Sequence, residues 1–216
     1  MVEGTTMWGC DMLPFRVLVG KGREIMKRQK GPRTKASRER WSSPYVDVAE
    51  NRWFSPGVRF VTEQNWMRPV GSRRFCPCGV MDKRAFHAVL RRAFRGACGT
   101  EEELFPREYE EQFRLEGSMT RQDMAVMLFR CTERMGIDTT VRGNLAAYSD
   151  ASEVSAYAQP AMSWAVGTGL LRGIRSGSAS ILSPWGGTTR AQAATVLLRW
   201  CTWAGQPEAR ELLGVK

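Results

Sequence analysis

The stretch Leu182-Ser183-Pro184-Trp185-Gly186-Gly187-Thr188-Thr189-Arg190-Ala191-Gln192 decides how this chain folds. Thr189 followed three residues later by Gln192 is a capping-box pattern: the hydroxyl accepts from the N3 amide and the Gln side chain reaches back to the cap. A helix begins there. Ala193, Val196, Leu197, Trp200, Cys201 and Ala204 then recur at three- and four-residue steps, which predicts one apolar stripe along it. Gly205 and Pro207 stop the helix.

Upstream, Tyr148-Ser149-Asp150 opens the same unit, with Ser155 a candidate cap for a shorter helix through Ala158, Ala161, Met162 and Ala165 to the glycines at 167 and 169. Pro160, about one turn inside that helix, is expected to remove a backbone bond and bend its entry. The unit reads helix, loop, helix.

Its pattern recurs. Tyr45-Val46-Asp47 matches Tyr148-Ser149-Asp150, Ser55-Pro56-Gly57-Val58 matches Gln159-Pro160-Ala161-Met162, and Phe75-Cys76-Pro77 matches Leu182-Ser183-Pro184. Asp82-Lys83 stands where Thr189-Arg190 does, and Asp82 can cap a helix as well as Thr. That helix carries Phe86, Val89, Leu90, Ala93 and Phe94, while Trp53, Phe54, Val58 and Val61 supply the apolar contacts of the one before it. A third copy shows only its second half, where Thr120-Arg121-Gln122-Asp123 opens a helix striped with Met124, Met127, Leu128, Cys131 and Met135. Repetition at roughly 50 residues indicates stacked supersecondary units, none of which buries its apolar face alone.

Aromatic-x-Asp, a small-residue helix, Gly169-Leu170-Leu171-Arg172-Gly173, Leu-x-Pro and Thr189-Arg190-Ala191-Gln192 together resemble the S-layer homology domain. The resemblance runs from about Tyr45 to Ala204. It implies a mainly α fold of repeated helix-loop-helix units in a pseudo-threefold module spanning 44–205. Unit one is 45–95, a degenerate unit two 96–136, and unit three 148–204. It also implies a non-catalytic role at the bacterial cell wall or S-layer, outside the cell, with anionic, pyruvylated secondary cell-wall polysaccharide as partner and no cofactor or metal. The family places a basic ligand contact one residue past the helix cap, which selects Arg190, Arg121 and Lys83. Trp53, Tyr157 and Trp185 are the candidates for stacking on sugar faces, each equally readable as packing residues.

Composition fits but does not choose. The chain has 216 residues, 43% of them hydrophobic, and a formal net charge of +10, so it can bury a core and attracts polyanions. Residues 1–43 hold ten Lys or Arg against four Asp or Glu without a helical or strand period, and read as a disordered basic segment. Neither a membrane span nor a secretory signal is visible, since Asp11 and Arg16 interrupt the apolar run from Met7 to Gly20. An exported role thus points to a fragment of a larger protein, or to a copy no longer exported. Residues 206–216 form a polar tail.

About 25 residues separate Phe94 from Thr120, too few for a full first helix and loop. The acidic segment around Glu101 and Glu110 replaces them, so unit two is damaged. Cys131 and Cys201 fall on core stripes, and Cys76-Pro77-Cys78 lacks the second pair that a zinc site needs. His87, the single histidine, has no nucleophile or carboxylate in a catalytic pattern around it.

Two competing readings remain. A basic nucleic-acid-binding helical protein would use the same charged helix starts, but roughly 15 to 20 residues lie between the paired helices, more than a helix-turn-helix allows. A degenerate S-layer homology fragment without binding activity would keep the fold alone.

Overall fold

The computed structural model describes residues 41–94 and 115–205. The basic leader, the acidic segment of unit two and the C-terminal tail lie outside the described residues. The described chain is mainly helical: α1 (Ser55–Glu63), α2 (Lys83–Phe94), α3 (Arg121–Arg134), α4 (Gln159–Gly167) and α5 (Arg190–Trp203), with short 3-10 turns before α4 and one small hairpin.

Both full capping boxes form. Thr189 accepts from Gln192 N–H while the Gln192 side chain accepts from Thr189 N–H, and Thr120 and Asp123 do the same at α3. Asp82 accepts from Ala85 N–H at 2.6 Å, so a carboxylate caps α2. Three helices therefore start the same way.

Their starts are laced together. Met81 N–H donates to Thr188 O, Thr188 N–H to Met119 O, and Met119 N–H to Met81 O, each at 2.8 Å, which closes a ring of three backbone bonds. A second tier follows one step on: Lys83 N–H reaches Gly117 O, Arg121 N–H Gly186 O, and Arg190 N–H Gly79 O, at 3.2, 3.0 and 2.9 Å. Each helix start thus uses its orphan amides on the loop before another helix.

The sequence predicts that the second helix of each unit packs on its counterparts through an apolar stripe. In the structure the broad helix faces pair differently: α1 lies on α5, and α4 lies on α3, a first helix against the second helix of another unit. The second helices meet at the ring and through Trp200, whose indole N–H donates to Thr132 Oγ1 at 3.0 Å. Nor is α5 striped. Ala191, Ala194, Thr195 and Leu198 are buried along with Ala193, Val196, Leu197, Trp200 and Cys201, because neighbours cover it on nearly every side.

Two local readings need correction. Pro160 sits in the first turn of α4, not one turn inside it, because Ala156–Ala158 is a separate 3-10 turn and Ser155 makes no side-chain cap. Its missing N–H is an orphan position there and the ring fits the helix start. The loop from α4 to α5 is also not plain loop: Ile174–Ser176 pairs antiparallel with Ala179–Ile181 around Gly177, whose φ of +61° suits a two-residue hairpin turn. Such an insertion is foreign to a helix-turn-helix.

Among the apolar predictions, Phe54, Val58, Val61, Phe86, Val89, Leu90 and Ala93 are buried, as are the α3 methionines and Cys131. Trp53 is instead exposed, at 62%. His87 is buried, a packing position and not a surface one. No helix among the described residues is long and apolar enough to cross a membrane.

Candidate functional site at the helix starts

Each unit that can be followed through its loop hangs on one aspartate. Asp150 accepts from Leu182 and Ser183 N–H at 2.7 Å each, and Asp47 accepts from Phe75 and Cys76 N–H at 2.9 and 2.8 Å. The backbone at Ser183 and Cys76 is left-handed, with φ of +51° and +55°, so the carboxylate holds a turn that neither residue favours alone. Burial acts to raise the Asp47 pKa. The two N–H donors and Arg74 outweigh it, and the group lies below its ordinary value.

That turn aims the carbonyls at which the arginines point. Arg190 donates from Nε to Phe75 O at 2.7 Å and from Nη2 to Arg68 O at 2.8 Å, with its guanidinium 4.7 Å from the Phe75 ring centroid. Arg121 repeats this on the next loop, donating to Leu182 O at 2.7 Å and Arg172 O at 3.0 Å. Both side chains are therefore clamps between units. Burial lowers the pKa of each; Asp150 opposes this at Arg121, and Cys76, Tyr45 and Asp47 oppose it at Arg190.

The two differ in access. Arg121 is 6% exposed, whereas Arg190 is half-buried and makes no ion pair among the described residues. Lys83 differs from both: its ammonium lies 3.3 Å from Asp123 Oδ2. The Tyr157 hydroxyl approaches the other Asp123 oxygen at 3.5 Å, at the long limit of a hydrogen bond. So Lys83, Asp123 and Tyr157 gather at the start of α3.

Trp53 and Tyr157 occupy matching places just before α1 and α4, and both rings are largely exposed. Trp53 meets Phe54 edge-on with ring centroids 5.2 Å apart. Trp185, in the turn before α5, is also exposed and donates its indole N–H to Glu153 O at 3.0 Å, which ties the ring to the 3-10 turn Ala151–Glu153. An exposed, oriented aromatic ring beside a cation is suited to sugar faces and their acidic substituents.

Sequence reasoning missed Asp123 as a meeting point. Its signal was the Thr120-x-x-Asp123 spacing, which announces a capping box, but the approach of Lys83 comes from another unit. Among the described residues no three His, Cys, Asp or Glu side chains gather as a metal site would require.

A family model described as the S-layer homology domain matches residues 147–194. No curated protein matches the chain. Among solved structures, the undecaheme cytochrome from the S-layer of Carboxydothermus ferrireducens is similar at 20% identity and a TM-score of 0.44. The match covers 70% of this chain and 21% of that one, so the chain spans about a fifth of its relative's length. S-layer homology domains are binding modules of the cell wall and cell surface, which they reach through wall polysaccharide. The residues that match the S-layer homology domain run from Ala147, through the Asp150-held turn, into the first turns of α5.

Proposed function

We propose that the protein is a non-catalytic wall-binding module that attaches to anionic, pyruvylated secondary cell-wall polysaccharide at the bacterial cell surface. Three units are arranged about a pseudo-threefold axis, a reading that the ring through Met81, Met119 and Thr188 supports. The observation that carries the ligand assignment is Arg190: an arginine in the first turn of α5, half-buried, over an aromatic ring and without an ion-pair partner among the described residues. Helix dipole, free donor capacity and low water access act together on a carboxylate there. Trp53 and Trp185 serve as sugar platforms and Tyr157 as the third ring, while Arg121 and Lys83 stand at the matching positions of the other helix starts, where each is already engaged within the protein.

Calorimetry with a pyruvylated methyl hexoside, against the same sugar without its pyruvate, tests this. Arg190→Ala should weaken binding by about 1.5 to 3 kcal/mol, roughly one to two decades. Equal affinity for both sugars, or binding indifferent to Arg190→Ala in a folded variant, would overturn the assignment. A nucleic-acid reading predicts instead a steep loss of DNA binding with salt, and the hairpin between α4 and α5 speaks against it.

A further inference from the structure

We propose that Asp123 is an internal counter-anion that closes the Lys83 helix start, so that the chain binds one acidic saccharide although three cations stand at equivalent positions. This rests on the acidic-glycan reading above and concerns which of its sites are open.

The cyclic lacing of the helix starts sets the argument. Because Lys83 N–H reaches Gly117 O, the side chain of Lys83 neighbours the start of α3; by the same bonds Arg121 neighbours the start of α5, and Arg190 that of α2. The third residue of the neighbouring helix then differs from one cation to the next. For Lys83 it is Asp123, for Arg121 it is Gln192, and for Arg190 it is Ala85. Only the first is a carboxylate.

The contact between Lys83 and Asp123 agrees with that register. Lys83 Nζ is 3.3 Å from Asp123 Oδ2, the same oxygen that accepts from Thr120 N–H at 3.1 Å and from Thr120 Oγ1 at 2.7 Å. Asp123 Oδ1 faces the Tyr157 hydroxyl at 3.5 Å. An incoming sugar carboxylate would meet a fixed negative charge where its cation is already neutralised, and like charges at this range repel. Asp82 does not play this part for Arg190, since its carboxylate caps Ala85 and makes no ion pair among the described residues.

Arg121 is closed in another way. Its guanidinium is bonded to Leu182 O and Arg172 O and is 6% exposed, so a ligand cannot reach it without opening the clamp. Arg190 is left, half-buried, with Trp53 just before the helix that packs on α5.

The test is stoichiometry, read by calorimetric titration of a pyruvylated methyl hexoside into the full chain. Wild type should bind one ligand, Asp123→Gln two, and Asp123→Gln combined with Lys83→Ala one again. Gln is the chosen replacement because Gln192 already completes a capping box with Thr189, so the start of α3 is preserved. Lys83→Ala alone should leave affinity within about twofold of wild type. Two ligands on wild type, one ligand on wild type and still one on Asp123→Gln, or a marked loss through Lys83→Ala would overturn the proposal. No ligand on wild type but one on Asp123→Gln would support it while refuting the Arg190 assignment, and none on either would refute both.

Discussion

Gly57 lies against Thr195 so closely that a Cβ on the glycine would stand 2.8 Å from the Thr195 Cα and backbone nitrogen. The contact is backbone to backbone, so no flexible side chain can yield. Gly57→Ala should therefore push α1 off α5 and destabilise the fold by about 1 to 3 kcal/mol, read as a lowered melting temperature. An unchanged melting temperature would mean that the α1–α5 crossing is looser than described.

Thr188 sits in the ring of three backbone bonds, fully buried, and its hydroxyl has no hydrogen-bond partner among the described residues. Its counterparts in the ring are Met81 and Met119, both apolar. Thr188→Val removes a stranded polar group at nearly constant shape and should stabilise the protein by about 1 kcal/mol. Chemical denaturation of the two proteins compares them directly.

Asp47 predicts the acid limb of stability. Its folded pKa lies below the ordinary 3.8, so its contribution is present above about pH 4 and is lost as pH falls through the folded value. Asp47→Asn should lower stability at neutral pH and flatten the dependence of melting temperature on pH below 4. A variant as acid-sensitive as wild type would assign that limb to other carboxylates.

Tyr157 offers an optical probe of Asp123. Burial raises its phenol above the ordinary 10.0, and the Asp123 charge and hydrogen bond raise it further. Asp123→Asn should bring the phenol back toward its ordinary value without fully reaching it, because burial remains. Alkaline absorbance titration, with Tyr157→Phe subtracted from the signal of the four tyrosines, resolves the shift.

The local signals of the fold were legible because they lie close together in sequence. Thr189 and Gln192 are one turn apart, and the match of Tyr45-Val46-Asp47 to Tyr148-Ser149-Asp150 needs no coordinates. What stayed hidden depends on partners far along the chain. That Arg190 clamps Phe75 O, or that Lys83 meets Asp123, follows from how the units close on one another and leaves no periodic trace. The all-round burial of α5 was misread for the same reason: Thr195 looks solvent-facing until α1 covers that side. The hairpin at 174–181 was missed since three-residue strands are shorter than any reliable alternation, although Gly177 marked the turn.

The ring through Met81, Met119 and Thr188 also makes the lacing of the helix starts self-terminating. In an open solenoid the last repeat leaves a row of unsatisfied donors and acceptors, and growth stops only with a special cap. Here each of these three residues gives its N–H to one neighbour and takes from the other, so the cycle has neither first nor last member. A further strand cannot take the N–H of any of the three residues without breaking a bond already made. The three helix starts are therefore joined by a closed hydrogen-bond cycle, and the loops that lead into it differ in sequence, as the Cys-Pro-Cys turn before α2 and the Ser-Pro-Trp turn before α5 do.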